Sequence, residues 1–189
     1  MSTIESKHKI LFTELQVLAG IQNVAAEISE HFSGKEIVLV GILKGAYFFL
    51  AHLATAIEKI GLVASCRIEF MKVSSYGDGQ TQGTIRIEHD LPYPISGANV
   101  ILVDDIADTR RTLHAIVALL QLKAPAALEV AVLFNKPEAA KCDLALNYVA
   151  LGREHAGWIY GCGMDTQEGR HRALPFIAVA DASGNPQPS

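Results

Sequence analysis

The sequence has no uninterrupted apolar stretch of the roughly eighteen residues that a membrane-spanning helix needs. Its first ten residues, MSTIESKHKI, contain no apolar run of signal-peptide length. Only three cysteines occur, Cys66, Cys142 and Cys162, in no metal-ligand spacing. Positive charge is not in excess either, because the formal net charge is −4, which argues against a surface that coats nucleic acid. We therefore expect a cytoplasmic protein with reduced thiols that binds neither membranes nor nucleic acid.

Internal repeats and low-complexity segments are also missing. At 189 residues, 50% of them hydrophobic, the chain is long enough for one domain with a sizeable core and too short for two ordinary ones. The last residues are small, polar and rich in Pro and Gly, which is typical of a frayed end. We predict a single domain over residues 1–182 and a frayed C-terminal tail over 183–189.

Apolar residues alternate between helical and strand spacing along the chain. A helix is predicted over residues 14–31, after Thr13 as N-cap. Its apolar face is expected to consist of Leu15, Leu18, Ile21, Ala25 and Ile28. Further helices are predicted over residues 46–60 and 109–123.

Three short apolar runs predict strands that are buried on both faces. They are IVLVGIL (37–43), NVILVDDI (99–106) and ALEVAVLFNK (127–136). Other strands are predicted over 63–73, 84–91, 147–151, 158–161 and 175–180. The alternation of strands and helices predicts an α/β fold, a mostly parallel twisted sheet flanked by helices on both faces. Ligands of such sheets bind beyond the carboxyl ends of the strands.

Charged and small polar residues stand at those ends. Lys44-Gly45 follows the first buried strand, and Asn135-Lys136 ends the third. The second strand ends in Asp104-Asp105, and DTRRT (108–112) then opens a helix. Adjacent carboxylates can hold a diol directly or through Mg²⁺, and a helix N-terminus receives phosphate, so the pattern indicates a ribose 5-phosphate site.

A plain structural reading of the same segment stays open. In that reading Asp108 and Thr109 only cap the helix, and the two preceding aspartates are solvated. A nucleotide-triphosphate loop of the form G-x-x-x-x-G-K-[ST] does not occur in the sequence, which removes the main competing phosphate site.

At this point VILVDDIADTRRTL (100–113) resembles the phosphoribosyl pyrophosphate (PRPP) motif of type I phosphoribosyltransferases. The resemblance runs from residue 37 to residue 180 and is closest to the hypoxanthine-guanine branch. Its other matching pieces are GILKGAYFFLAHLA (41–54), EFMKVSSYGDG (69–79), VAVLFNKP (130–137) and WIYGCGMD…RALPFIAV (158–179). It implies the fold of that family, with a small hood from the terminal segments and a homodimer or homotetramer. The implied reaction is Mg²⁺-dependent transfer of the phosphoribosyl group from PRPP to hypoxanthine or guanine, giving IMP or GMP and pyrophosphate in purine salvage.

The resemblance also implies roles for the residues that match the family's motifs. Asp104 and Asp105 would hold the ribose hydroxyls and, with Asp165, magnesium. Asp108 would be the catalytic general acid or base. The 5′-phosphate would be held by Thr109, Arg110, Arg111 and Thr112. Pyrophosphate would be held by Leu43, Lys44, Gly45 and Arg172, and Arg170 competes for the place of Arg172; apart from the family context, Lys44 reads as an ordinary surface lysine.

Two further groups would complete the site. Ser75 and Tyr76, with the glycines after them, match a mobile flap that closes over the reaction; the alternative is a plain hairpin loop. Purine would be bound by Lys136 at its 6-oxo group, by stacking on Trp158 and by the main chain of Ile159. A tryptophan of the core is the alternative for Trp158.

Arg110 departs from the family pattern, because relatives carry glycine at this position of the phosphate loop. The arginine would either crowd the loop or add a donor for phosphate. It is also the one feature that favours a different function, a regulator of the same fold that binds PRPP or a nucleotide without turnover. A third hypothesis keeps the chemistry and shifts the preferred base, for example to xanthine.

Overall fold

The computed structural model describes residues 7–76, 84–152, 157–181 and 186. Three helices lie in the described residues: α1 (Glu14–His31), α2 (Tyr47–Ile60) and α3 (Arg111–Gln121). The strands there are β1 (Lys9–Phe12), β2 (Glu36–Leu43), β3 (Ser65–Tyr76), β4 (Thr84–His89), β5 (Asn99–Ala107), β6 (Ala127–Asn135), β7 (Tyr148–Gly152), β8 (Ile159–Tyr160) and β9 (Ile177–Val179). No helix within these residues is long and apolar enough to cross a membrane.

Six strands form the main sheet, in the order β4-β3-β2-β5-β6-β7. All neighbouring pairs are parallel except β3 with β4, which is antiparallel at one edge. In β2, Ile37 and Leu39 belong to one hydrophobic core, whereas Val38 and Val40 belong to another. Because side chains alternate across a strand, the sheet is buried on both faces.

The helices cover both faces of this sheet. Residues of α1 and α2, among them Ile21 and Leu53, share the core of Leu39. Residues of α3, among them Leu113 and Ile116, share the core of Val40. The predicted α/β architecture, a mostly parallel sheet flanked by helices on both faces, is confirmed.

Helix α1 begins where the sequence predicts, because Thr13 forms a capping box with Gln16. Its buried face differs from the predicted one. Leu15 is 79% exposed, and Leu18 is only half-buried. The buried apolar side chains are Val17, Ile21, Val24, Ala25 and Ile28.

A second sheet of three antiparallel strands, in the order β1-β9-β8, is built from the two ends of the described chain. We call it the hood. Strand β1 is absent from the sequence-based prediction. The segments 77–83, 153–156, 182–185 and 187–189, which include the glycines of the predicted flap and most of the predicted tail, lie outside the described residues.

Candidate active site

The carboxyl ends of three neighbouring strands meet at one edge of the main sheet. Val103 of β5 pairs with Gly41 of β2 and, on its other side, with Ala131 of β6. The residues that follow these three in their strands therefore leave the sheet at the same edge. This brings together the regions around Lys44, Asp105 and Lys136. This is the convergence that the sequence predicts.

Asp105 lies against the loop after β2. The residue is 9% exposed, and its backbone N–H donates to Asp104 Oδ1 at 3.0 Å. A Cβ atom on Gly45 would lie 2.0 Å from Asp105 Oδ2, so only glycine allows this approach. The Leu43–Lys44 peptide in the same loop is cis.

The two adjacent carboxyls are poorly solvated. Burial, reinforced by the neighbouring charge of Asp105, holds the pKa of Asp104 well above its usual range. Burial also raises the pKa of Asp105 to about 6, although Asp104 and the positive charge of Arg172 act in the opposite direction. A bound cation would relieve this repulsion, because it favours the ionised form of both groups.

Arg172 reaches this carboxylate pair from the hood side. Its guanidinium donates to the carboxylate of Asp165 and, at 2.7 Å, to the carbonyl of Gly163. Tyr47 Oη at the start of α2 donates to the Arg172 carbonyl at 3.0 Å. Arg170 instead forms an exposed ion pair with Glu168 at 3.3 Å. Of the two competing arginines, Arg172 is the one beside the acidic residues of the site.

Lys136 is almost fully buried, with 7% exposure. Its Nζ donates to the Gly157 carbonyl at 2.8 Å, and within the described part of the chain no carboxylate lies within 4 Å of it. A buried ammonium without a counter-ion is costly, so a polar ligand atom is a natural further partner.

Trp158 stands next to that carbonyl. It is 45% exposed, and its Nε1 donates to the Asp165 carbonyl at 2.6 Å, which fixes the indole although nearly half of the residue is accessible. The alternative of a core tryptophan is therefore wrong. Ile159, by contrast, is buried in β8, so only its main chain is a candidate for contact with a ligand.

The segment predicted to bind phosphate, residues 108–112, continues into the first turn of α3. Asp108 and Thr109 are exposed, and the N-cap residue is Arg110, with no side-chain capping bond. The plain reading, in which Asp108 and Thr109 cap the helix, is therefore wrong. The first backbone N–H groups of a helix have no intrahelical partner, so those of α3 are available to an anion.

Arg110 adopts the left-handed conformation, with φ 61. This is the conformation for which glycine is the usual residue, so the backbone keeps a glycine-like path although a side chain is present. The guanidinium leaves the loop and donates to Asn135 Oδ1 and to the Leu144 carbonyl, each at 3.2 Å. Sequence reasoning anticipated neither Asn135 nor Leu144 as its partner.

Ser75 and Tyr76 end β3, where their backbones pair with Ile85 and Thr84 of β4. The loop between these strands, 77–83, is outside the described residues, and flap closure stays a prediction. Gly163 is a further residue of the site that sequence reasoning missed. A Cβ there would lie 2.0 Å from the Gly45 carbonyl, and the only sequence signal is its place in the run Gly161-Cys162-Gly163.

Comparison with known proteins gives consistent matches. The family model described as "Phosphoribosyl transferase domain" matches residues 9–167. The hypoxanthine-guanine phosphoribosyltransferase of Aquifex aeolicus is 39% identical over 177 residues, 93% of this chain and 96% of that protein. The protein of the same name from Dictyostelium discoideum is 33% identical over 171 residues, 89% of this chain and 93% of that one. A solved hypoxanthine phosphoribosyltransferase from Staphylococcus aureus has a TM-score of 0.86 at 31% identity and covers 95% of both chains.

Proposed function

The chain belongs to the phosphoribosyl transferase domain family, and we propose that it transfers the 5-phosphoribosyl group of PRPP to hypoxanthine or guanine. The products are IMP or GMP and pyrophosphate, so the reaction salvages purine bases. The observation that best supports a 6-oxopurine is the buried Lys136 ammonium, which has no carboxylate partner in the described part of the chain. It would donate to the 6-oxo group, where adenine offers an amino group that cannot accept.

The roles of the carboxylates follow from their position. Asp104 and Asp105 would take the ribose hydroxyls at the end of β5. Asp108 would accept the proton of the attacking purine nitrogen while the C1–N bond forms and the bond from C1 to pyrophosphate breaks. Trp158 would stack on the purine with its indole ring.

Anions would be held on two sides of the sugar. The free N–H groups at the start of α3, with Thr109, Arg111 and Thr112, would bind the 5′-phosphate. Arg172 and the Leu43–Gly45 loop would bind pyrophosphate.

Magnesium is the proposed cofactor, and the carboxylate pair fits it. Two buried carboxyls with raised pKa values are hard oxygen ligands that a cation would stabilise. Mg²⁺ usually completes its shell with water and substrate oxygens, so two protein carboxyls are enough to hold it. Bound there, it would neutralise pyrophosphate charge. Asp165 Oδ2 accepts a hydrogen bond from Arg172 in this arrangement, so the other carboxylate oxygen would serve its predicted metal role.

One assay tests the function directly. Spectrophotometric turnover of hypoxanthine, guanine, xanthine and adenine is measured with Mg²⁺ and PRPP. We expect turnover of the first two bases and none of adenine. Binding of PRPP without turnover of any base would contradict the proposed enzymatic function and would favour the hypothesis of a regulator.

Arg110 does not favour the regulator hypothesis in this structure, because its backbone follows the path that glycine would take.

We further propose a cytoplasmic homodimer or homotetramer. Sedimentation velocity of the purified full chain measures its mass in solution, and a monomer at micromolar concentration would contradict the proposal.

A further inference from the structure

The side chain of Arg110 joins the phosphate loop to the end of β6. One terminal nitrogen of the guanidinium donates to Asn135 Oδ1 and the other to the Leu144 carbonyl. Asn135 directly precedes Lys136, the proposed base-recognising residue. The arginine therefore connects the segment that would hold the sugar phosphate with the segment that would hold the purine.

Backbone bonds also hold the same two segments together. The N–H of Lys136 donates to the Ala107 carbonyl at 3.0 Å, and the N–H of Lys141 donates to the Thr109 carbonyl at 3.0 Å. Arg110 adds two side-chain bonds to these backbone bonds, one to Asn135 and one to Leu144. The corner formed by residues 107–110 and 135–144 is thus fixed at successive points, and we call it the loop corner.

The arginine's setting is an unusual one for a purely stabilising residue. Its backbone is in the left-handed region that non-glycine residues rarely adopt. Its Nε is buried and has no hydrogen-bond partner in the described part of the chain, and no carboxylate there lies within 4 Å of the guanidinium. Each of these features opposes folding. A role of Arg110 in fixing the geometry of the two segments therefore explains its presence better than a role in stability.

We propose that Arg110 is a positioning residue that fixes Lys136 relative to the phosphate loop and so sets the alignment of purine and ribose. This inference rests on the proposed transfer reaction. The reacting carbon would lie between the two anchored ends, one held at the start of α3 and the other at Lys136. Small errors in such an alignment lower the rate of reaction much more than they weaken binding.

Four variants test the proposal: Arg110→Gly, Asn135→Ala, their double variant and Asn135→Asp. Arg110→Gly suits the backbone at φ 61 and should fold. We expect it to lower kcat/KM for the base about tenfold while the dissociation constant of PRPP changes less than about threefold. Asn135→Ala should change the constants in the same direction, and the double variant should be no worse than Arg110→Gly alone, because the contact between the two side chains is already lost in that variant.

Asn135→Asp separates positioning from direct phosphate binding. An aspartate keeps the oxygen acceptor and neutralises the guanidinium, so positioning predicts activity within about threefold of the parent. A direct role of Arg110 in binding phosphate predicts weaker PRPP binding in this variant. Lys141→Gln is the charge control, since it removes an exposed positive charge beside the same loop and should leave all constants unchanged.

Two results would overturn the inference while leaving the proposed function intact. One is a loss in Arg110→Gly confined to PRPP affinity, and the other is additive losses in the double variant. An inactive parent enzyme would overturn the proposed function itself. The same four variants in urea unfolding report whether Arg110 and Asn135 are coupled without any reference to activity, so the contact is tested in either case.

Discussion

Asp108 stands where β5 has ended and α3 has not yet begun, and its carboxylate is exposed. A general base placed there should affect the chemical step and not ground-state binding of the sugar phosphate. We predict that Asp108→Asn lowers kcat by about a hundredfold or more, while the dissociation constant of PRPP stays within about threefold. Steady-state kinetics and calorimetric titration with PRPP measure the two quantities. Asp143→Asn, which changes another exposed carboxylate, is the control, and equal losses of kcat and affinity in Asp108→Asn would contradict the base role.

Gly45 shows how closely the loop after β2 approaches the acidic pair. A methyl group there would lie 2.0 Å from Asp105 Oδ2 and 2.4 Å from its Cγ, so the carboxyl would have to move. We predict that Gly45→Ala costs about 1–3 kcal/mol of unfolding free energy and lowers kcat/KM strongly, because Asp105 is displaced.

Gly152→Ala is the matched control, since the nearest atoms to its added Cβ are 3.9 Å away. Urea unfolding and turnover of hypoxanthine are measured for both variants. Parent-like activity in Gly45→Ala would show that Asp105 need not stay in its present place.

The residues of the site differ in how far sequence could predict their surroundings. Lys136 and Asp105 are brought near each other because parallel strands end at one edge, which the apolar runs already indicate. The direction of the Arg110 side chain is set by the fold around residues 135–144, and nothing local in DTRRT encodes it. Asn135 and Gly163 lie within the matching pieces VAVLFNKP and WIYGCGMD, but they matter through contacts distant in sequence, which those pieces do not indicate.

At the scale of elements, α1 is held to the edge strand by a close approach of backbones. A Cβ on Gly20 would lie 2.5 Å from the carbonyl oxygen of Ala150 in β7. We predict that Gly20→Ala lowers the unfolding free energy by about 1–3 kcal/mol, although alanine alone would favour the helix by about 1 kcal/mol.

Asn23→Ala provides the comparison on the exposed side of the same helix. It gains helix propensity without a clash and should be neutral or slightly stabilising. Urea unfolding of both variants decides the point. A Gly20→Ala protein as stable as Asn23→Ala would show that α1 and β7 can separate at little cost.

Elements with strong apolar patterns were predictable, and those that depend on pairing were not. The Thr13 cap fixes the start of α1 locally, and unbroken apolar runs mark β2, β5 and β6. Strand β1 is four residues long and only half-buried, so it carries no pattern without β9 beside it. Strand β3 continues three residues beyond its predicted end, to Tyr76, because β4 pairs with it there.

At the scale of the whole molecule, the site depends on how the hood sits on the main sheet. Asp165, Arg172 and Trp158 come from the hood side, whereas Asp104, Asp105 and Lys136 come from the sheet. Gly163 and Gly45 lie in contact at the junction, where a Cβ on Gly163 would meet the Gly45 carbonyl. The hood must therefore pack against the main sheet before the candidate site is complete.

The buried acidic pair makes the stability of the ligand-free protein depend on pH. The pKa of Asp105 is raised to about 6 in the fold by burial, against about 3.9 in an unfolded chain. The folded state thus binds the proton of Asp105 more tightly than the unfolded state does. The contribution of this proton to the free energy of unfolding is complete below pH 4 and is lost as the pH rises through 6. His8 acts in the opposite sense below its ordinary value, because burial lowers its pKa.

Asp105→Asn removes the charge of Asp105 and, with it, the repulsion that this charge exerts on Asp104, whereas His8 is common to both proteins. We predict that the variant and the parent have similar unfolding free energies at pH 4, and that the variant is more stable by about 2–3 kcal/mol at pH 8. Urea unfolding across this range measures the difference, with Asp143→Asn as the control for an exposed carboxyl. If the unfolding free energies of the parent and of Asp105→Asn changed with pH in the same way, the raised pKa of Asp105 would be contradicted. Adding Mg²⁺ and PRPP should stabilise the parent increasingly as the pH rises through 6, because the Asp105 carboxylate ionises there, and should do so much less in the variant.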